Sequence, residues 1–280
     1  MLKQRIITAL ILAPIMIGGI FFLPLQEFMY FIGFIVAVGA WEWANLSGVS
    51  NQAGRLGYVG AVIVALFAIA QLDAAQARWL LWAALAWWIF AFVLVRSYPK
   101  GKQAWGGVVP RLLMGLIILL PMWVGFVQIK AYPASGELIM YVMLLVWGAD
   151  VGAYFAGRQF GKRKLAKNVS PGKSWEGVYG GLATTALIAV ASAFYLEYQY
   201  TLFSMDLEKW ITLLAVTAVV VMVSVLGDLI ESMVKRHRGI KDSSNLLPGH
   251  GGVMDRIDSM TAAVPVFALA LSQLNWTILL

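Results

Sequence analysis

Residues 1–23, MLKQRIITALILAPIMIGGIFFL, decide how the rest of the chain is read. A charged start followed by an apolar run suits a signal peptide, but no small-residue cleavage site precedes the next apolar run, so the segment reads as a retained first membrane span. The same apolar character recurs down the whole chain. Of 280 residues, 61% are hydrophobic and 12% charged, with a mean hydropathy of +0.79. A chain so composed cannot be a soluble globule around one buried core. Runs long enough to cross a hydrocarbon layer fall near 5–24, 28–46, 57–72, 79–95, 111–129, 138–156, 176–196, 210–228 and 259–279. The expectation is an all-α polytopic membrane protein of about nine helices. Pro14, Pro121 and Pro265 fall inside spans, where neighbouring helices can satisfy the freed carbonyls.

Charge placement tests that topology independently. Of the 21 lysines and arginines, all except Arg78, Lys130 and Lys209 fall on the face that holds the N-terminus, which is the positive-inside bias of a chain whose N-terminus is cytoplasmic. The net charge of +7 is then a topology signal and a contact for anionic membrane lipid, not a nucleic-acid footprint. There is no cysteine, which excludes disulfides, thiolate nucleophiles and Cys-ligated metals. Any metal must sit on oxygens or on the two histidines.

Two long polar segments share the cytoplasmic face, 156–175 and 235–258. The first, AGRQFGKRKLAKNVSPGKSW, offers cations and glycines that suit phosphate oxygens; the second adds carboxylates that suit a hard divalent cation. Acids within or beside the spans sharpen this reading, since ionisable residues there are costly unless they serve a cavity or a ligand. Asp150 shares a helical stripe with Tyr154 and Arg158, and Asp228 one with Ser232 and Lys235. A locked pair of Asp150 with Arg158 is the structural alternative. Asp255 and Asp258, three apart around Arg256, share a face of the last helix's first turn. With Asp228 they are candidate ligands for Mg²⁺, and the helix N-terminus would add donors for phosphate. Acids in a first turn are also favoured simply by the helix dipole. The run Pro248–Gly252, PGHGG, reads as a glycine turn that lets backbone approach a ligand. His250 then orients a phosphate or hydroxyl, or serves as a structural hydrogen-bond partner. The run PGKS at 171–174 is not a P-loop, because Lys167 stands where the opening glycine belongs and no strand is expected before it. Lys173 and Ser174 remain candidates for phosphate contact.

The stretch 232–258, SMVKRHRGIKDSSNLLPGHGGVMDRID, resembles the signature of the phosphatidate cytidylyltransferase family (CDP-diacylglycerol synthases), S-x-x-K-R-x4-K-D-x-small-x2-apolar-P-x-H-G-G-x-x-D-R-x-D, at every fixed position. Residues 150–161 and 170–177 (SPGKSWEG) resemble that family's second characteristic region, with Ser174 where threonine is common, a departure that keeps the hydroxyl. The likeness covers about residues 145–260, which divides the chain into supporting spans, 1–135, and a catalytic region, 136–280.

The resemblance implies cytidylyl transfer from CTP to phosphatidic acid, giving CDP-diacylglycerol and pyrophosphate with Mg²⁺, in phospholipid biosynthesis at a bacterial inner membrane. It implies metal on Asp228, Asp255 and Asp258, catalytic roles for these and Lys241, and substrate contacts from Lys173, Ser174, Ser232, Lys235, Arg236, His250, Gly251, Gly252, Arg256 and Asp150. Clustered acids admit a second cation, and small faces such as Gly177, Gly180 and Gly181 admit close packing and a homodimer. The rival readings are a CTP-dependent polyprenol or phytol kinase, which would transfer the γ-phosphate, and an ion-coupled transporter, which should show two related halves.

Overall fold

The computed structural model describes residues 2–199 and 205–274. Helices α1 (Leu2–Phe22), α2 (Leu25–Leu46), α3 (Gln52–Ala70) and α4 (Ala74–Ser97) lead through a one-turn α5 (Lys102–Trp105) to α6 (Val108–Lys130) and α7 (Ser135–Phe160). A small hairpin, β1 (Lys164–Ala166) and β2 (Ser170–Ser174), precedes α8 (Trp175–Gln199), α9 (Leu207–Arg238) and α10 (Met254–Gln273). Seven of these helices, α2, α3, α4, α6, α7, α8 and α9, are long and apolar enough to cross a membrane. Helices α1 and α10 stand at the positions of the expected first and ninth spans but fall outside that set of seven. Helix α1 holds a shorter apolar stretch, Ile6–Phe22, and α10 carries Asp255, Arg256 and Asp258 in its opening turns. Residues 275–279 of the expected ninth span, and the side chains of Lys3 and Arg5, lie outside what is described.

Local chemistry sets the helix ends. Asn51 caps α3 by accepting from the Gly54 amide, and Asp73 with Gln76 forms a capping box on α4, the reciprocal arrangement that satisfies two orphan donors. Helix α9 starts on Asp206 and stops at Gly239, whose φ of 72° is the left-handed conformation glycine adopts without strain. It ends ten residues beyond the expected boundary at 228. Lys235, Arg236, His237 and Arg238 fill its last turn, where cations meet the negative end of the helix dipole.

The segment 156–175 also differs from expectation. Helix α7 runs on to Phe160, and β1 pairs antiparallel with β2 in a register of Lys164 with Ser174 and Ala166 with Ser170. Lysines on both strands hide the alternation that would have announced a hairpin. Its turn is anchored: Val169 is buried and its carbonyl accepts from Arg236 Nε at 3.2 Å, while Asn168 Nδ2 reaches the Tyr98 carbonyl at 3.4 Å.

One apolar core runs through both halves of the chain, from Ile32 and Trp43 on α2 to Val264 and Phe267 on α10. The tightest packing joins α7 to α8. Cβ atoms added at Gly177 or Gly181 would meet the backbone oxygens of Ala153 and Ala149 at 3.0 and 2.9 Å, and one at Gly180 would strike Ala156. Glycines at these positions let two backbones approach, as the sequence suggested. The connections between α2 and α3, α4 and α6, α7 and α8, and α9 and α10 gather at one end. There Asn45 Nδ2 donates to the Ser243 carbonyl (3.1 Å), Arg111 Nη1 to Leu46 (3.0 Å), and His237 Nε2 meets the Gly106 carbonyl (3.1 Å).

A Gly181→Val substitution should force α7 and α8 apart at a cost of about 1–3 kcal/mol, read as a lower melting temperature of the detergent-solubilised protein. Gly57→Ala, where an added Cβ meets nothing within 4 Å, should leave it unchanged or slightly raised.

Candidate active site

The last three turns of α9 carry Asp228, Glu231, Ser232 and Lys235 at positions i, i+3, i+4 and i+7, which is one face of a helix. That face turns toward α10. A Cβ at Gly227 would meet the Asp258 carbonyl oxygen at 2.5 Å, so glycine there is what lets the first turns of α10 come close. The outcome is a cluster of acids threaded by two lysines.

Lys235 Nζ lies 2.7 Å from Glu231 Oε2 and 2.6 Å from Asp255 Oδ1. All three side chains are withdrawn from solvent: 14% of the lysine, 1% of Glu231 and 7% of Asp255 is exposed. Asp255 Oδ2 accepts the amides of Ser243 (2.9 Å) and Gly252 (2.8 Å) and lies 2.9 Å from the Ser243 hydroxyl. On the other side, Lys173 Nζ from the hairpin sits 2.5 Å from Asp228 Oδ2, and Ser232 Oγ donates to Asp228 Oδ1 at 3.0 Å. Asp150, exposed on α7, lies in the electrostatic field of Lys173, Asp228 and Arg256. Arg158 donates to Tyr154 at 3.3 Å, so no Asp150–Arg158 lock forms. At the hairpin base the exposed Arg163 bonds Glu176 at 2.9 Å, and this hydrogen bond lifts the guanidinium pKa further above its ordinary value.

Several expected site residues stand elsewhere. Ser174 is buried and its hydroxyl accepts the Gly177 amide at 3.2 Å; it caps α8 rather than facing the cluster. The PGKS run lies in strand β2 and is preceded by β1, which corrects the expectation that no strand comes before it, yet with Lys167 in the turn and Lys173 on Asp228 it forms no glycine cradle. Gly249 and Gly251 adopt φ of 77° and 80°, so the PGHGG glycines serve a tight turn closed by a Leu247–Gly251 bridge. A side chain at Gly252 would run into Glu42 and Ser243. The donors expected to await phosphate at the start of α10 are engaged: Gly252 N on Asp255, and Val253 N and Met254 N on Glu42 at 3.0 and 2.6 Å. Arg256 reaches outward and donates twice to the His250 carbonyl, at 3.1 and 2.8 Å. His250 Nδ1 is buried with no hydrogen-bond partner. Arg236 braces the hairpin, and Lys241 is exposed on the segment after α9.

Two residues of the cluster escaped the sequence reading. Glu231 sits three residues after Asp228 on the same stripe. Glu42 lies in the second span, within Trp-Glu-Trp, where an acid amid apolar neighbours was itself the signal.

The expected metal trio of Asp228, Asp255 and Asp258 does not converge; among the described residues no three acid or histidine side chains meet closely enough to hold an ion by themselves. Asp255 is saturated by Lys235, Ser243 and Gly252. The cluster nonetheless fits a hard cation. Asp258 faces Asp228 and Glu231, Glu231 Oε1 is buried without a partner, and the carboxylates Asp150, Asp228, Glu231, Asp255 and Asp258 outnumber Lys173, Lys235 and Arg256. Mg²⁺ is commonly held by one or two carboxylates, with phosphate oxygens and water completing the shell. Open pockets of about 300 and 590 Å³ lie at the opposite end of the bundle, around Tyr141 and Trp123, remote from this chemistry.

Fold and site together define a multi-pass helical membrane protein with an acid and lysine cluster where its connecting segments gather. Residues 3–274 match the model of the cytidylyltransferase family. Relatives named phosphatidate cytidylyltransferase include a Pseudomonas aeruginosa protein, 55% identical over 99% of both chains, and a Haemophilus influenzae protein, 39% identical over 96% of this chain and 98% of its own. A Staphylococcus haemolyticus protein of that name is 40% identical over 54% of this chain and 55% of its own. The chain belongs to the cytidylyltransferase family.

Removing one partner of a buried ion pair strands the other. Lys235→Met should therefore destabilise the protein by about 3–5 kcal/mol, measured by unfolding in mixed micelles. Adding Glu231→Leu should recover part of that loss by removing one of the two abandoned carboxylates.

Proposed function

We propose that the chain transfers the cytidylyl group of CTP to phosphatidic acid, releasing pyrophosphate and leaving CDP-diacylglycerol in the membrane. The observation that carries the reading is the pairing of excess carboxylate with Lys173 and Lys235 at the end of the bundle where the basic residues collect. A phosphate oxygen of phosphatidic acid attacks the α-phosphorus of CTP; the new O–P bond forms as the bond from that phosphorus to the pyrophosphate oxygen breaks. The nucleophile arrives already anionic, so no side chain has to take its proton. The protein's task is alignment and neutralisation of like charges.

Asp228 and Asp258 would hold Mg²⁺, with Glu231 beside them, and a bound Mg²⁺ supplies charge neutralisation of the triphosphate and of the departing pyrophosphate. Lys173 comes from the hairpin and pairs with Asp228, while Lys235 comes from α9 and pairs with Glu231 and Asp255, which suits each to exchange a carboxylate for a phosphate oxygen of substrate. Asp255 keeps Lys235 charged and aimed. Arg256 and Lys241, both exposed, meet the triphosphate or the lipid headgroup, while Asp150 adds its charge beside Lys173, Asp228 and Arg256. CTP reaches the site from the cytoplasm and phosphatidic acid from the adjoining leaflet of a bacterial inner membrane, with the acyl chains between spans.

The test uses purified protein in detergent with phosphatidic acid, Mg²⁺ and CTP labelled at either the α or the γ phosphate. The expected result is α-label in lipid and γ-label in pyrophosphate. Asp228→Asn and Asp255→Asn should each lower turnover by at least about 10²–10³-fold, and EDTA should abolish it until Mg²⁺ is restored. Label from the γ position in lipid would establish a kinase instead, and no turnover by folded protein would overturn the assignment.

A further inference from the structure

Glu42 is fully buried, 0% exposed, and no lysine, arginine or histidine among the described residues pairs with it. Such a charge is tolerated only if hydrogen bonds replace its water. Four do. Oε1 accepts from Ser244 Oγ (2.5 Å) and Val253 N (3.0 Å); Oε2 accepts from Met254 N (2.6 Å) and lies 3.1 Å from Ser243 Oγ. Two of these donors are free amides at the start of α10, where a negative charge is favoured by the helix dipole. The third and fourth belong to the segment that wraps Asp255.

Ser243 makes the connection to the reacting centre. Its hydroxyl stands between Glu42 Oε2 and Asp255 Oδ2, at 3.1 and 2.9 Å, and its amide donates to Asp255. One hydroxyl proton serves two carboxylates, so the position of one acid is tied to the other. Gly252, between them, leaves no room for a side chain. Glu42 thus fastens the first turn of α10 to α2, an element remote in sequence from every other residue of the cluster.

We infer that Glu42 is a positioning residue for the transfer reaction: it holds Asp255 and the first turn of α10 in register with Asp228 on α9. The inference rests on the α9–α10 cluster being the reacting centre. A carboxamide at this position keeps one acceptor oxygen and turns an amino group toward donors, so Glu42→Gln removes two of the four bonds at almost unchanged volume. A shift of about 1 Å in a catalytic group lowers rate by about 100-fold.

The experiment compares wild type, Glu42→Gln and Ser243→Ala by kcat and KM for CTP, per mole of folded protein, and by hydrogen exchange of the amides at 252–254 in detergent. Positioning predicts that Glu42→Gln lowers kcat about 100-fold with KM for CTP little changed, while exchange at 252–254 rises about tenfold and exchange in α7 and α8 stays as in wild type. Ser243→Ala should show a smaller drop in kcat. A Glu42→Gln protein with normal kcat overturns the inference. So does one that is less stable throughout yet normal per folded molecule, since that marks a purely structural residue. If Glu42→Gln does not fold, Ser243→Ala decides: unchanged kcat and exchange reject the link to Asp255. If wild type forms no CDP-lipid, the functional reading fails, and the exchange data still decide whether Glu42 locks α10.

Discussion

A lysine ammonium lodged between two carboxylates, Lys235 between Glu231 and Asp255, is the contact on which the rest of the site depends. Each of these groups would be prohibitive alone at its depth, and together they are tolerable only in close geometry. That geometry demands that α9 stay helical well past the apolar part of its span, that α10 begin within reach of it, and that nothing wider than glycine stand at Gly227. The interhelical arrangement and the electrostatics are therefore one constraint. Apolar packing brings α9 and α10 together, but the ion pairs select the register in which they meet.

The second constraint is topological. Helices that cross in alternation return their even-numbered connections to the same end, and here those connections are bonded to one another as well as to the bundle: Asn45 to Ser243, Arg236 to Val169, His237 to Gly106. Lys173 reaches Asp228 because the hairpin is anchored at its turn and because Ser174 caps α8 immediately after it. Close α7–α8 packing, through glycines on α8, fixes where that hairpin emerges. The early spans are part of this arrangement. Arg111 and Trp43 tie α6 to α2, and α2 carries Glu42 into the cluster.

Much of this was legible from residue spacing. Apolar run length is a direct consequence of bilayer thickness, so the seven long apolar helices among the described residues could be located from it, and the stripe of Asp228, Ser232 and Lys235 follows from helical periodicity alone. What spacing could not supply was the partner across an interface. Glu42 and Ser243 are some two hundred positions apart, and no local rule links them. The end of α9 was misjudged because hydropathy measures exposure to lipid, whereas helicity in its last turns comes from buried polar pairs and a glycine cap. The hairpin was missed because its strands are short and lysine-rich. The PGHGG turn was rightly seen as unusual backbone, but the same glycines that would admit a ligand here admit carboxylates of the protein itself.

That last point bears on how anions are recognised. A helix N-terminus is a natural phosphate site, and in α10 it is taken by Glu42 and Asp255. In the proposed reaction, recognition of an anionic substrate would then fall to side chains: Lys173 on a strand, Lys235 on α9, Arg256 on α10. Charges on three separate elements can match a triphosphate only if those elements are held rigidly with respect to one another. A buried acid that spends the helix dipole on internal bonding, instead of on substrate, contributes that rigidity. The arrangement gives up one binding feature of the backbone and gains fixed positions for the carboxylates on which charge neutralisation in the proposed transfer would depend.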